Sequence, residues 1–361
     1  MWQPDLGVLL ADPTAQAPDV VVACAPIHTH AALAGQALRA GFDVLPETPP
    51  TSSLAELDQL LAVVEGTGCS VQVGFQPLAS ASLPALHDVV ASGEASDVAG
   101  VGAVGTYVVY ESCGTRSAWA GRRTVAGRPV IDGVVTNPLA HAVATALHLA
   151  GATANVDVDV DVATITLDQY RADAIEVDDT PTATITTSHG PPASLGLTLC
   201  ASAQTPPHII LQGRISRAVL DYHPDTVTIT GPADVRTFHA GCADLLTELL
   251  EHRANPSVPL LCPQRDTRAF ERVLHAVRTA SEPAPIAPEY VRGDRRRRDT
   301  SGRSRRQTQA RARGDGPRHL HRALGALGNP APHLAELAIT VTSIASHPGR
   351  CVWVRPCRAI G

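Results

Sequence analysis

The chain contains no lysine; all 29 of its basic residues are arginine. Without an ε-amine there is no lysine Schiff base, no lysine proton donor and no lysine ligand for a P-loop phosphate, so mechanisms built on those groups are excluded before any motif is sought. No run of 18 or more apolar residues is free of charges or turn formers, which argues against a membrane-spanning helix. The opening residues 1–12 (MWQPDLGVLLAD) have no basic n-region and only a short apolar run, so they do not read as a secretory leader, and a cytoplasmic location is expected. The eight cysteines include no CxxC pair, which speaks against a zinc site or a disulfide framework and leaves them as reduced thiols.

What is present is enough for a sizeable core: 361 residues, 44% of them hydrophobic, suggest two domains. The charge is unevenly placed. Residues 1–290 hold 14 arginines and 31 acids, a net of −17, whereas residues 291–361 hold 15 arginines and 4 acids, a net of +11. Three segments are expected: an incomplete dinucleotide-type domain over 1–95, an α+β domain over 96–290 and an Arg-rich, disordered tail over 291–361.

The first segment alternates strand and helix. Asp19–Ala25 (DVVVACA) is an apolar, β-branched run ending at Pro26, as in a strand buried on both faces of a parallel sheet. Thr29 can cap a helix over His30–Ala40 that Gly41 stops, and Phe42–Leu45 reads as the next strand. Ser53 and Glu56 form a capping box for a helix through Val64, followed by strand Val71–Phe75. This order predicts a doubly wound parallel sheet with ligands beyond the carboxyl ends of its strands. After a short helix at Leu83–Ser92 the chain turns to β-rich runs: Val98–Tyr110, Val156–Leu167, Thr182–Thr187, Leu195–Ala201, Ile209–Leu220 and Thr226–Ile229. A helix from about Pro138, capped by Asn137, and two more at Cys242–Arg253 and Thr267–Thr279 complete an α+β unit on a mainly antiparallel sheet.

Several patterns imitate sites. Gly100 to Gly105 fits GxGxxG letter for letter, but Thr106–Tyr110 continues as strand where a phosphate turn needs a helix N-terminus, so small residues in a sheet strand are expected. Asp157, Asp159 and Asp161 imitate a calcium loop without its sixth-position glycine or twelfth-position glutamate, and alternation turns them to water. His28 and His30 follow the first strand, where helix-start packing, cofactor contact and metal binding are all open readings; no third metal ligand is spaced to join them. Asn137 and His141 stand one helical turn apart, fit either for a buried hydrogen bond or for acid–base work. The Arg-rich run from Arg295 to Arg318 lacks aromatic residues for base stacking, so nucleic-acid binding is not expected of it.

From Asp19 to about Tyr290 the order of these motifs resembles the glucose-fructose oxidoreductase, inositol dehydrogenase and rhizopine-catabolism family (Gfo/Idh/MocA). The resemblance rests on VVVACAPIHTHAALAGQALRAGFDVLPETPP, VQVGFQ, RSAWAGRR (116–123) and DGVVTNPLAHAVATALHLAG (132–151). It implies a Rossmann domain, then an α/β domain whose open sheet supports homo-oligomers, and NAD- or NADP-dependent hydride transfer at a hydroxyl carbon of a sugar, cyclitol or related polyol. Ala25, Pro26, His28, His30 and Glu47 would line the nicotinamide end, with Trp119 and Arg122 as additions. His141 matches the family's active-site histidine, and Asn137 falls where many members carry aspartate. Thr48, in Glu47-Thr48-Pro49, stands where the family motif Glu-Lys-Pro has its lysine, and implies impaired catalysis. Few residues precede Asp19 to carry the family's glycine turn, which implies weakened cofactor binding. The tail departs from the family after Val291; a start-site error plus a frameshift would produce both ends. A non-enzymatic ligand-binding or scaffold relative is the alternative.

Overall fold

The computed structural model describes residues 20–92, 98–108, 117–151, 162–188, 190–298 and 304–310. The opening residues, Asp157, Asp159, Asp161 and the chain beyond 310 lie outside the described residues.

The N-terminal half begins with β1 (Val20–Ala23), α1 (His30–Arg39) and β2 (Asp43–Pro46), and the two strands pair in parallel from Val20↔Asp43 to Ala23↔Pro46. Parallel pairing needs the crossover that α1 supplies, and α1 seats itself closely because its buried face is made of Ala34, Gly35, Ala37 and Leu38. Its start differs from expectation. The Thr29 hydroxyl donates to the Pro26 carbonyl at 2.7 Å and does not cap the helix, and a 3-10 turn at Ile27–Thr29 leads in. Gly41 ends the helix at a φ of 88°, as its lack of a Cβ permits.

Helix α2 (Leu54–Thr67) carries the expected box in altered form. Glu56 N–H donates to Ser53 Oγ at 3.2 Å, while the Glu56 carboxylate accepts from the N–H and hydroxyl of Ser52, both at 2.8 Å. The third strand, expected over Val71–Phe75, is reduced to single bridges. Gln72 and Gly74 N–H groups donate to the Val44 and Pro46 carbonyls, but the other edge is taken by Pro263 and Cys262. Helix α3 (Ser82–Ala91) closes this half.

The second half is one mixed, mainly antiparallel sheet. Its strands are β3 (Gly100–Val108), β6 (Val162–Arg171), β7 (Thr180–Thr187), β8 (Ala193–Thr198), β9 (Cys200–Gln212), β10 (Arg217–Asp221), β11 (Thr226–Thr230), β12 (Val235–His239) and β13 (Ala284–Pro285); β4 (Thr124–Val125) and β5 (Arg128–Pro129) form a separate small hairpin. The order is β12-β11-β10-β9-β3-β8-β7-β6-β13, with β3–β8 and β6–β13 parallel and the rest antiparallel. The GxGxxG run is central strand β3, not a phosphate turn. A Cβ on Gly105 would lie 2.9 Å from Pro207 Cβ and 3.2 Å from Leu139, so the glycine serves close packing under helix α4 (Ala140–Leu149).

Three strand expectations change. Leu195–Ala201 is divided between β8 and β9. Ile209–Leu220 is a hairpin of β9 and β10, concealed because its turn carries an apolar residue, Ile215, at 55% exposure. β12 gave no signal because nearly all its positions face solvent. Where disorder was expected from 291, β14 (Val291–Arg298) and β15 (Ser304–Ala310) pair antiparallel. That order comes from backbone pairing, which composition does not report.

Helices α5 (Leu245–Ala254) and α6 (Arg268–Thr279) return to the first half. Leu245 and Leu249 pack with Leu45 and Ala79, and Arg253 meets Asp43 at 2.9 Å. Gln72 is fully enclosed: its amide donates to the Leu245 carbonyl at 3.1 Å and its oxygen accepts from Cys262 N–H at 3.0 Å. No described helix is long and apolar enough to cross a membrane.

Glu271 of α6 is completely buried, and burial pushes its carboxyl up to about 8 from an ordinary 4.5. A folded-state value above the unfolded one gives stability that is full below about 4.5 and lost as pH rises through about 8. Glu271→Gln is therefore expected to raise the urea midpoint relative to wild type at pH 8.5 more than at pH 5. Equal changes at both pH values would contradict a buried, neutral Glu271.

Candidate active site

Three strand ends converge in the first half. Glu47 N–H donates to the Ala23 carbonyl at 3.1 Å, and Gly74 passes so close that a Cβ there would meet the Pro46 carbonyl at 3.2 Å and Glu47 Oε2 at 3.4 Å. The Cys24 thiol faces Glu47 Oε1 at 3.9 Å; partial burial and then the neighbouring carboxylate push it up. His30 is 1% exposed and joins the loops after β1 and β2, with Nδ1 2.7 Å from the Pro49 carbonyl and Nε2 2.5 Å from the Ala25 carbonyl. Its ring is fully engaged by backbone, so it shapes the crevice and does not line it. Ala25, Pro26, Glu47 and Thr48 retain surface there, and His28 Nδ1 is buried with no hydrogen-bond partner.

The second half contributes α4. Asn137 is not its cap; its side-chain amide donates to Asp132 Oδ1 at 2.7 Å, and Asp132 Oδ2 accepts from Gly121 N–H at 2.9 Å. The N-terminal approach is fixed by Asp178, whose carboxylate accepts from Val134 N–H at 3.1 Å and the Gln169 amide at 3.0 Å. Burial pushes Asp178 up to about 6 against those hydrogen bonds. Gly133 leaves room for that carboxylate, because a Cβ would clash with Asp178 Oδ1.

His141 opens α4. Its ring packs edge-on against Phe75 at a centroid distance of 5.8 Å, and its Nδ1 is buried without a partner. Burial, and then repulsion from His223, lower it to about 4, so the imidazole is neutral at physiological pH. Phe75 also meets Phe270 at 4.9 Å, and these two rings with Leu78, Leu147 and His148 line a shallow cleft along the same stripe of α4. His148 is likewise lowered to about 4 by burial and then by His87.

Trp119 and Arg122 sit on a turn docked to the loop before β7. Arg122 Nη1 meets Glu176 Oε1 at 2.5 Å, and Glu176 also accepts from Arg123 N–H, bonds that hold its carboxyl low. Arg122 is thus already paired. Among the described residues one group has metal-ligand spacing, Asp173, Asp179 and Cys200 within 4.8 Å. Asp179 already accepts from Ala172 N–H, Asp173 N–H and the Thr180 hydroxyl, which reads as a closed turn.

The structure sets Ala25, Pro26 and His28 after β1 and Glu47 and Thr48 after β2, the parallel neighbour of β1, and sets Asn137 and His141 at the start of α4. Sequence reasoning missed Asp132, Asp178 and His223. Asp132 lies within the quoted DGVVTNPLAHAV run, five residues before Asn137. The other two come from a loop before β7 and the turn between β10 and β11, far along the chain, and left no local signal.

The two halves define a class: an NAD-binding Rossmann-type domain followed by a mainly antiparallel mixed sheet. Residues 4–75 match the model of the Gfo/Idh/MocA family, described as an oxidoreductase family with an NAD-binding Rossmann fold. Among solved structures, the fold is similar to UDP-N-acetylglucosamine 3-dehydrogenase GnnA from Acidithiobacillus ferrooxidans, with 18% identity, TM-score 0.59, 77% of this chain and 82% of that one covered. It is also similar to the WlbA dehydrogenase from Bordetella pertussis in complex with NADH and UDP-GlcNAcA, with 16% identity, TM-score 0.59 and coverage of 76% and 79%. KijD10, a 3-ketoreductase from Actinomadura kijaniata in complex with NADP and TDP-benzene, shows 19% identity, TM-score 0.61 and coverage of 78% and 83%. A search of curated proteins finds no match.

Gly133→Ala is expected to cost about 1–3 kcal/mol in denaturant unfolding, the usual range for overpacking, by displacing the Asp178 carboxylate from Val134. For His141 and His148, a folded-state value below the unfolded 6.5 gives stability that is full above about 6.5 and lost as pH falls through about 4. His141→Gln is expected to shallow the decline of the urea midpoint between pH 6.5 and 4. An unchanged slope would contradict a buried, neutral imidazole.

Proposed function

We propose that this protein is an NAD- or NADP-dependent oxidoreductase acting at a hydroxyl carbon of a sugar or related polyol, with nucleotide-linked sugars as the substrate class to try first. The family match supports the cofactor type. The neighbours described with UDP-N-acetylglucosamine, UDP-GlcNAcA or TDP-benzene support the substrate class. The observation that carries the reading is His141, a neutral imidazole with an unpartnered Nδ1 at the seam between a dinucleotide-type crevice and an open sheet.

The described residues fit the nicotinamide end of a dinucleotide. The strand ends are small and apolar at Ala25 and Pro26, and His28 Nδ1 is a buried nitrogen in want of a partner. Ala25, Pro26, His28 and Glu47 would hold that end, His30 would position their loops, and Trp119 and Arg122 would border it. When bound, the nicotinamide supplies the hydride acceptor or donor. The His141 imidazole takes the proton of the substrate hydroxyl. Asn137, anchored on Asp132, orients the substrate through its carboxamide.

Thr48 gives the site a lower output than a lysine would. A hydroxyl at that position carries no positive charge to stabilise a developing alkoxide and is a poor proton donor at neutral pH. This one residue also favours the second reading, a ligand-binding homologue without turnover. Thr48→Lys separates the two. With NAD or NADP and a UDP-linked sugar, the variant is expected to raise kcat/KM by about a hundredfold, the lower end of the range for a restored acid–base group. If NADH and NADPH titrations show saturable binding yet neither protein turns over any sugar tested, the binding-protein reading replaces the enzymatic one.

A further inference from the structure

His252 and His30 each have both ring nitrogens in contact with oxygen, and they differ in what those oxygens can do. His252 Nδ1 lies 2.6 Å from the Val258 carbonyl and Nε2 lies 3.1 Å from the Ser70 hydroxyl. A hydroxyl can donate, so an imidazole with a single ring N–H satisfies both contacts. His30 instead faces two carbonyls, Pro49 at 2.7 Å from Nδ1 and Ala25 at 2.5 Å from Nε2, and a carbonyl only accepts. A neutral ring has one donor nitrogen, so its other nitrogen would press a lone pair against a carbonyl lone pair at that distance. Turning the ring over would set carbons there, and C–H contacts to oxygen lie at about 3.3–3.6 Å, too long for either gap. A ring with hydrogen on both nitrogens fits. His30 is 1% exposed, so the two carbonyls, and not bulk water, decide which nitrogens carry hydrogen.

We propose that His30 is a fixed imidazolium that clamps the loops after β1 and β2 and sets a buried positive charge beneath the nicotinamide end of the site. The clamp stands on geometry alone, and the role of its charge rests on the oxidoreductase reading above. The two carbonyls belong to the residues beside the crevice: Ala25 precedes Pro26, and Pro49 follows Thr48. Hydrogen bonds from a charged donor are about twice as strong as neutral ones, so one ring fixes both loops. His30 is also the first residue of α1, where the helix dipole, equivalent to roughly half an elementary charge, opposes a cation and no acid in the first turn relieves it. That partial charge is spread over the N–H groups of a whole turn, whereas the two carbonyl oxygens sit at bonding distance, and the carbonyls prevail. The other titratable groups at these strand ends are Glu47, whose Oε1 faces the Cys24 thiol, and His28, whose Nδ1 is buried without a partner. An oxidised nicotinamide ring is cationic and a reduced one is neutral, so a fixed positive charge there favours the reduced cofactor. His30 acts through the loops and through its field, and is a positioning residue.

The test begins with the full chain labelled with 15N-histidine, without cofactor, studied by NMR at pH 7, the His30 ring being assigned by its cross-peaks to Ala25 and Pro49. Both of its nitrogens are expected to show an attached hydrogen that exchanges slowly with solvent. A bare, pyridine-type nitrogen on His30 would overturn the proposal, and this measurement needs no variant. NADH and NAD+, and NADPH and NADP+, are then titrated against wild type and His30→Gln, and the preference for the reduced form is read as a ratio within each protein. Loss of the charge is expected to narrow that ratio by about tenfold, the scale of one unit charge at an effective dielectric near 20, whereas a merely loosened crevice weakens both forms alike. An unchanged ratio would overturn the role given to the charge. If both nitrogens carry hydrogen yet wild type binds none of the four dinucleotides, the clamp stands and the oxidoreductase reading fails.

Discussion

The structure depends on residues 72 to 82, a short stretch shared by both halves. Gln72 is buried between the Leu245 carbonyl and Cys262 N–H, Phe75 lies between His141 and Phe270, and Ser80 and Ser82 hold Asp225. An enclosed amide left without those partners would cost on the order of 1–3 kcal/mol, so the contacts specify one docking of sheet on Rossmann half. The interrupted third strand frees its edge for residues 262–263, and the site lies at the resulting seam.

From that docking follows the electrostatic character of the site. His141 and His148 are kept neutral by burial, and Glu271 and Asp178 are pushed toward their protonated forms by the same cause. In a chain with no lysine, His141 and His148 are the buried imidazoles beside Phe75 and its cleft. Thr48 follows β2, and His141 arrives from α4 with its ring edge on Phe75.

Much of this was legible in the residues. The βαβ pattern from Val20 to Pro46, the rejection of Gly100–Gly105 as a phosphate turn and the helix bearing His141 all follow from local rules of period, capping and context. Less legible were features set by partners far along the chain. For His30 the sequence leaves helix-start packing and cofactor contact both open, because proximity to a strand end is visible there, whereas the carbonyls of Ala25 and Pro49 on either side of its ring are not. Asn137 looked like a cap because position and residue type agreed, yet Asp132 claims its amide. Ile215 hid a hairpin by being apolar in a turn, and β12 hid because an exposed edge strand has no hydrophobic alternation. Asp178 and His223 acquire meaning only when β7 and the β10–β11 turn are laid beside α4.

The claim on which the functional account turns is that Phe75 and the docked sheet enclose His141 as a neutral base. The direct measurement is the titration midpoint of the His141 ring in the intact protein, followed by NMR of its ring carbons. A midpoint near 4 is the result expected of that enclosure. A midpoint near the ordinary 6.5 of a solvated histidine would mean that the seam is open and that the site described here does not form.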